Sequence, residues 1–422
     1  MMSIMQKTST TTIAFASFIG TAIEFYDFYI YAMAAALVIG QVFFPTSDPA
    51  VQTLNAFLTF GIAFIARPFG AILFGHFGDK VGRKVTLAAS LLVMGVSTLL
   101  IGLLPGYAMI GIWAPVLLCL LRIGQGIGLG GEWGGAALLA TEHAPEGKRG
   151  WFGMFPQLGP SVGFLLATLT FLGLSFFLTD AEFKAWGWRL PFIASALLVV
   201  VGLYVRFKLA ETPIFAQALA QQATHRMPLK PLLKNHLKPI LLGAFAMVVC
   251  YHLFYTATVF CLTYGTQELG ITRPDFLIML CVAVLFMTLA TPISARLSDQ
   301  FGRRPVLMVS SALALFAGFA MNPLMGGSVI TITLFLSLAL FLMGATFAPM
   351  GAFLPEQFPV AVRYSGAGLA YQLGGIFGAS FAPTISQWLV MQGGIAWVGF
   401  YTSAMAGISL IAVFFMRETA YS

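Results

Sequence analysis

Twelve apolar runs, most of them 20 residues or longer, leave this chain almost no choice of solvent. A helix rises about 1.5 Å per residue, so a run of that length crosses roughly 30 Å of hydrocarbon. The runs lie near residues 13–38, 52–77, 84–104, 112–140, 150–178 and 189–207, then near 238–263, 274–297, 305–325, 329–353, 364–390 and 394–416. A polar stretch bearing lysine and proline, 209–235, separates the two sets. The expected fold is therefore an all-α membrane protein of twelve transmembrane helices. Its parts are an N-terminal six-helix bundle (1–208), a linker (209–235) and a C-terminal six-helix bundle (236–422).

Composition agrees. Of 422 residues 59% are hydrophobic and 9% charged, where a soluble domain carries roughly 25% charged residues. The net charge of +7 is scattered between apolar runs rather than gathered on one face, which argues against nucleic acid. Cys119, Cys250, Cys261 and Cys281 all fall inside apolar runs with no C-x-x-C spacing, so neither disulfide nor zinc is expected. The first run carries Glu24 and Asp27, which a cleavable signal peptide would not, and it reads as the first span.

Charge placement gives a second count. With the N-terminus in the cytoplasm, the inner segments hold 17 of the 22 lysines and arginines and the outer segments only Lys184, Arg189 and Arg273; Arg67 and Arg122 lie within spans. The asymmetry orients a twelve-span chain with both termini inside.

The two halves also repeat. GHFGDKVGRK (Gly75 to Lys84) stands between spans 2 and 3, and ARLSDQFGRRP (Ala295 to Pro305) between spans 8 and 9. Asp79 and Asp299 are 220 positions apart, as are Arg83 and Arg303. After spans 4 and 10, Glu142 and Glu356 differ by 214, and so do Arg149 and Arg363. Two motif pairs at nearly one offset indicate parallel six-helix repeats. These residues carry a resemblance. Gly75, Asp79, Lys80, Gly82, Arg83 and Lys84 resemble the major facilitator signature G-x-x-x-D-[RK]-x-G-R-[RK], and Arg122, Gln125 and Gly126 resemble its span-4 motif. More narrowly, Gly20–Tyr31, Ala66–Lys84, Arg122–Ala136 and Trp186–Phe192 are similar to the metabolite:proton symporter family, importers of small organic acids or osmolytes. The chain stops a few residues past its last span, whereas the osmosensing branch often carries a long C-terminal coiled coil. The resemblance implies import of a small organic acid by proton symport across a bacterial cytoplasmic membrane, with proline or betaine uptake and proton-antiport efflux as alternatives.

Charged side chains within spans cost about 2.5–3.5 kcal/mol each on insertion scales and need a reason. Glu24, Asp27, Arg67, Arg122 and Glu132 all sit in the first half. Glu24 and Asp27 share one helical face, roughly 16–21 Å from the inner end of span 1, and Arg122 lies roughly 15 Å from the outer end of span 4. The resemblance implies a proton site at Asp27 or Glu24 with Arg122 as its partner, since an arginine and a carboxylate face each other in the proton-coupled sugar branch. Arg67 and Glu132 fall at matching depths and are expected to pair, with Glu132 a second candidate proton relay. Substrate-binding candidates are Arg122, Gln125, Tyr31, Gln157, Tyr251, His252, Tyr255 and Gln372, with Tyr29 and Tyr371 at similar depths. Asp79, Arg83, Glu142, Arg149, Asp299, Arg303, Glu356 and Arg363 are candidates for charge networks that latch the halves at their cytoplasmic ends. Gly126, Gly130 and Gly134 recur every four residues, a spacing for close helix approach.

No H-E-x-x-H, G-x-S-x-G or Walker loop is present, so neither an enzyme nor an ATP-driven pump is expected. No metal or other cofactor is expected, the proton gradient being the driving force. The anticipated partners are the lipid bilayer, protons and a small organic acid, the chain acting as a monomer.

Overall fold

A computed structural model describes residues 10–46, 48–81, 83–130, 137, 140–141, 144–210 and 229–420. Span 1 is Thr10–Ala34 continued by a π-turn, Ala35–Ile39, and Gly40–Phe43. Spans 2 to 6 are Pro49–Val81, Arg83–Leu103, Trp113–Leu129, Arg149–Phe177 and Leu190–Ala210. Span 7 is Leu229–Tyr255, a π-turn at Thr256–Phe260, and Cys261–Gln267. Spans 8 and 9 are Arg273–Phe301 and Arg303–Met325; span 10 is Val329–Phe347 broken before Met350–Glu356. Span 11 is Arg363–Gly375, a π-turn at Ile376–Ser380, and Ala382–Gly393; span 12 is Ile395–Phe415. The side that carries the chain termini is called here the terminal side.

The π-turns of spans 1 and 7 begin 221 positions apart, close to the offset of the sequence motifs, so the repeat extends to helix irregularities. The same segments meet: Thr263 Oγ1, in the helix just past the second π-turn, donates to the Ala36 carbonyl of the first at 3.0 Å. π-turns interrupt the regular ladder and cluster at functional positions.

Within the first bundle, span 4 lies directly on span 2. A Cβ on Gly126 would collide with the Ala63 carbonyl, and one on Gly130 with the Arg67 carbonyl. The backbones are in contact there as the small-residue spacing predicts. The outer faces carry exposed Phe176, Leu197, Phe316 and Ile411, as lipid-facing surfaces do.

Candidate functional site at the bundle interface

The halves meet through an aromatic layer at mid-depth. Tyr29 of span 1 packs on Phe164 of its own bundle at 5.5 Å and on Phe254 of span 7 at 5.0 Å. Phe60 and Phe64 of span 2 meet Tyr255 at 5.1 and 5.2 Å, and Phe64 meets Tyr251 at 6.3 Å. Tyr371 of span 11 closes the layer on Tyr251 at 5.5 Å. Four residues along span 7 place Tyr251 and Tyr255 on one face. His252 is turned a quarter circle away. Its Nε2 bonds Thr402 Oγ1 of span 12 at 2.9 Å and its ring packs edge-on to Tyr401 at 4.6 Å, inside the second bundle. His252, a substrate-binding candidate, is thus placed inside the second bundle, away from the Tyr251 and Tyr255 face.

Polar contacts lock both ends of the interface. On the side opposite the termini, Thr53 Oγ1 donates to Gln267 Oε1 at 3.3 Å, and Arg273 pairs with Asp180 at 2.9 Å. On the terminal side, Asp299 of span 8 accepts the backbone N–H groups of Gly150 and Trp151, both at 2.8 Å, capping the N-terminus of span 5 with a carboxylate. Arg303 binds Asp299 at 2.7 Å and Glu356 at 3.1 Å, so the expected network of Asp299, Arg303 and Glu356 is assembled in one place. Arg363 does not join it: its Nε donates to the Phe358 carbonyl at 3.3 Å. Arg149 stands exposed at the first turn of span 5, with no ion pair among the described residues. Glu142 and the side chains of Asp79 and Arg83 lie outside the described residues.

One partner in this network was not anticipated. Glu418, past the end of span 12, accepts the backbone N–H groups of Arg303 and Arg304 at 3.0 and 2.9 Å, and Thr419 Oγ1 donates to Glu356 at 2.6 Å. Burial acts to raise the Glu418 carboxyl, but backbone donors from Ala420, Arg304, Arg303 and Thr419 outweigh it, and the group lies below its ordinary value. The signal was an acidic residue directly after the last apolar run.

Two glutamines bridge the bundles. Gln157 Nε2 of span 5 donates to the Phe347 carbonyl of span 10 at 2.9 Å, and Gln372 Nε2 of span 11 donates to the Gly130 carbonyl of span 4 at 2.7 Å. The donors are 215 positions apart and the acceptors 217, so the bonds are copies of each other under the repeat. Phe347 is the last residue before span 10 breaks. The Gly351 N–H that would close a regular turn on it donates instead to the Ala348 carbonyl at 3.4 Å, leaving the Phe347 carbonyl for Gln157.

The charged residues separate into two places. Arg122 is fully buried, with Nε on the Thr59 carbonyl at 3.2 Å, Nη2 on the Phe60 carbonyl at 2.9 Å and Nη1 on Gln125 Oε1. Gln125 is held in turn by Thr98 at 2.7 Å, and the Tyr31 ring lies over the guanidinium at 3.7 Å. The expected pair of Arg122 with Asp27 is not formed. Asp27 lies one helical turn toward the terminal side of Tyr31, and the span 2 carbonyls take the guanidinium donors. Both Asp27 oxygens are buried without a hydrogen-bond partner among the described residues. Glu24 is buried one turn further along the same face. Arg67 is buried at 2% exposure, 5.1 Å from the Phe28 ring and 4.9 Å from that of Phe64. Its expected partner Glu132 lies outside the described residues.

Two bundles closed on each other at both ends, with charged side chains buried on their inner spans, are the parts of a transporter. Residues 12–235 match the model of the sugar (and other) transporter family and residues 244–422 that of the major facilitator superfamily. The chain belongs to the major facilitator superfamily. It is 53% identical to the inner membrane metabolite transport protein YhjE of Escherichia coli, over 98% of this chain and 95% of that one. It is 38% identical to the shikimate transporter of the same organism, over 96% and 94%. The fold is that of the xylose transporter XylE from E. coli in a partially occluded inward-open conformation, with a TM-score of 0.74 at 17% identity, covering 97% and 98% of the two chains. The chain is thus a multi-pass inner-membrane transporter of metabolites and not an enzyme.

Proposed function

We propose that the protein imports a small organic acid by proton symport, with Asp27 as the group that carries the proton and with the terminal side in the cytoplasm. The observation that carries this reading is the isolation of Asp27, whose two oxygens are buried and without a hydrogen-bond partner among the described residues. A carboxylate in such a place is strongly disfavoured unless it is paired or protonated. Arg122 packs on Tyr31, one helical turn from Asp27 along span 1, and its bonds to the Thr59 and Phe60 carbonyls are ones it can exchange for a carboxylate when Asp27 releases its proton. A proton leaving Asp27 would then re-aim Arg122 and free part of span 2. Glu24, on the same face, is the second candidate relay. The substrate class has the support of a relative named for shikimate, an organic acid. The proton gradient is the energy source and no cofactor is required.

The test uses proteoliposomes of the full chain. Wild type should accumulate a labelled organic acid when an inward proton gradient is imposed. Asp27→Asn should lose that accumulation while still exchanging label across the membrane when substrate is present on both sides. Gradient-driven accumulation by Asp27→Asn at the wild-type level would remove Asp27 from the mechanism.

A further inference from the structure

We infer that Arg67, rather than Arg122, receives the substrate's carboxylate, and that the substrate is a ring-bearing carboxylate held against the aromatic layer between the bundles. The inference rests on the transport reading and adds to it a residue and a chemical class.

Of the two buried arginines on the inner faces of spans 2 and 4, Arg122 has its donors engaged by the Thr59 and Phe60 carbonyls and by Gln125. Arg67 Nε and Nη1 have no hydrogen-bond partner among the described residues. Unsatisfied guanidinium N–H groups at 2% exposure are costly, and a carboxylate is the group whose two oxygens match the planar fork. The position is also the right one. Phe64, which lies against the guanidinium, is the ring that touches both Tyr251 and Tyr255 of the opposite bundle. The Arg67 charge lies within electrostatic reach of the Tyr29, Tyr251, Tyr255 and Tyr371 phenols, which come from both bundles. When the bundles part, this layer opens and Arg67 is the cation behind it.

The aromatic geometry selects the body of the ligand. Tyr251 and Tyr255, one turn apart, form a stacked pair with rings parallel to within 9° at 6.5 Å, so both offer a face of the same orientation at the surface that meets the first bundle. A flat ring stacks on such a surface. A quaternary ammonium favours faces that converge on a point, and here it would bring a second positive charge beside Arg67. An open-chain dicarboxylate would call for a second cation, and while Asp27 keeps its proton each Arg122 nitrogen stays bonded to Thr59, Phe60 or Gln125. The Tyr251 hydroxyl, buried without a hydrogen-bond partner among the described residues, is the group that meets a ring hydroxyl.

The test measures binding to the full chain in lipid nanodiscs by calorimetry. The probes are 3,4-dihydroxybenzoate, its carboxamide, succinate and glycine betaine. The dihydroxybenzoate should bind at least tenfold more tightly than succinate or betaine, and its carboxamide about 100-fold more weakly. Arg67→Lys should weaken dihydroxybenzoate binding at least tenfold, and Arg67→Gln should abolish it. If Arg67→Gln does not fold, Arg67→Lys and Tyr255→Leu carry the test, each with at least a tenfold loss. Wild-type affinity in folded Arg67→Gln, or recovery of binding in Arg67→Gln/Glu132→Gln, would make Arg67 a structural ion-pair partner and overturn the assignment. Tighter binding of succinate or betaine would overturn the ring-carboxylate class, while proton-driven uptake of that compound would leave the transport reading standing. Ring-carboxylate binding without gradient-driven uptake would do the reverse.

Discussion

Truncating the glutamine bridges should open the terminal side by an amount the structure sets. Gln157 and Gln372 each donate to a carbonyl of the opposite bundle, those of Phe347 and Gly130. A buried hydrogen bond contributes about 1 kcal/mol net, and stranding its acceptor costs about 1–3 kcal/mol. The stranding applies only to the closed state, because an opened interface lets water reach the carbonyl. Gln157→Ala should therefore shift the balance toward the open state by about 1.4–2.8 kcal/mol, a factor of roughly 10 to 100. Gln372→Ala should match it, being the same bond under the repeat, and the double variant should approach the product of the two. Met154 is a suitable reporter position, since it is buried against Ala295 of span 8 and Ala348 at the break in span 10. With the partly exposed Cys119 and Cys281 replaced by serine, the alkylation rate of Met154→Cys by a charged maleimide from the terminal side reads the open fraction. A rate within twofold of the parent for either single variant would show that the amides do not hold the interface. A double variant no faster than the faster single would show that they do not act independently.

Asp299→Ala should remove the cap from span 5 and one of the two carboxylates on Arg303, and raise the same alkylation rate more than tenfold, since charge-assisted bonds contribute about 1.5–3 kcal/mol each; an unchanged rate would make this cluster ornamental to closure. Gly126→Ala should lower the thermal unfolding midpoint in detergent, because the new methyl meets the Ala63 carbonyl and such overpacking costs about 1–3 kcal/mol. Gly173→Ala, with nothing within 4 Å of the added atom, should not lower it. Docking of the C-terminal segment on span 9 should be intact above the ordinary Glu418 value of 4.5 and be lost as pH falls through its lower folded value; a spin label on Thr419 that becomes mobile only on the alkaline side would contradict that sign.

The spans were readable because length and hydropathy determine them and nothing else competes in lipid. The repeat was readable from Asp79 and Asp299, and the contact of Gly126 and Gly130 with span 2 from their spacing alone. What a helix faces was less accessible. Tyr251, His252 and Tyr255 look equivalent as a polar patch on span 7, and only the neighbouring spans decide that two face the interface and one faces Thr402. Depth arithmetic put Arg122 level with Asp27 but is blind to the Thr59 and Phe60 carbonyls, since backbone acceptors have no sequence signature. For the same reason the ends of Gln157 and Gln372 could not be foreseen. Their acceptors depend on where span 10 breaks and on where span 4 passes span 11. Phe60, Phe64 and Phe254 are individually indistinguishable from lipid-facing phenylalanines, of which the chain has many.

The two arginine sites are separate but not independent, and the residue between them is Phe28. Its ring lies 5.2 Å from the Arg122 guanidinium and 5.1 Å from that of Arg67, and it directly follows Asp27 in span 1. Span 2 makes the second link, because it carries Arg67 and also supplies the Thr59 and Phe60 carbonyls that hold Arg122. On the proposed reading, loss of the Asp27 proton draws Arg122 off those carbonyls, which changes the hold on span 2 about two turns from Arg67. A carboxylate on Arg67 acts on the same helix from the other end. Coupling of this kind needs no direct contact between proton and substrate, only one helix whose position both ligands bias. Phe28→Ala should then leave each site able to bind while loosening the link. Substrate affinity in the variant should lose most of its dependence on pH, at little change in its value under acid conditions. A pH dependence identical to wild type would locate the coupling elsewhere than in span 1 and its contact with span 2.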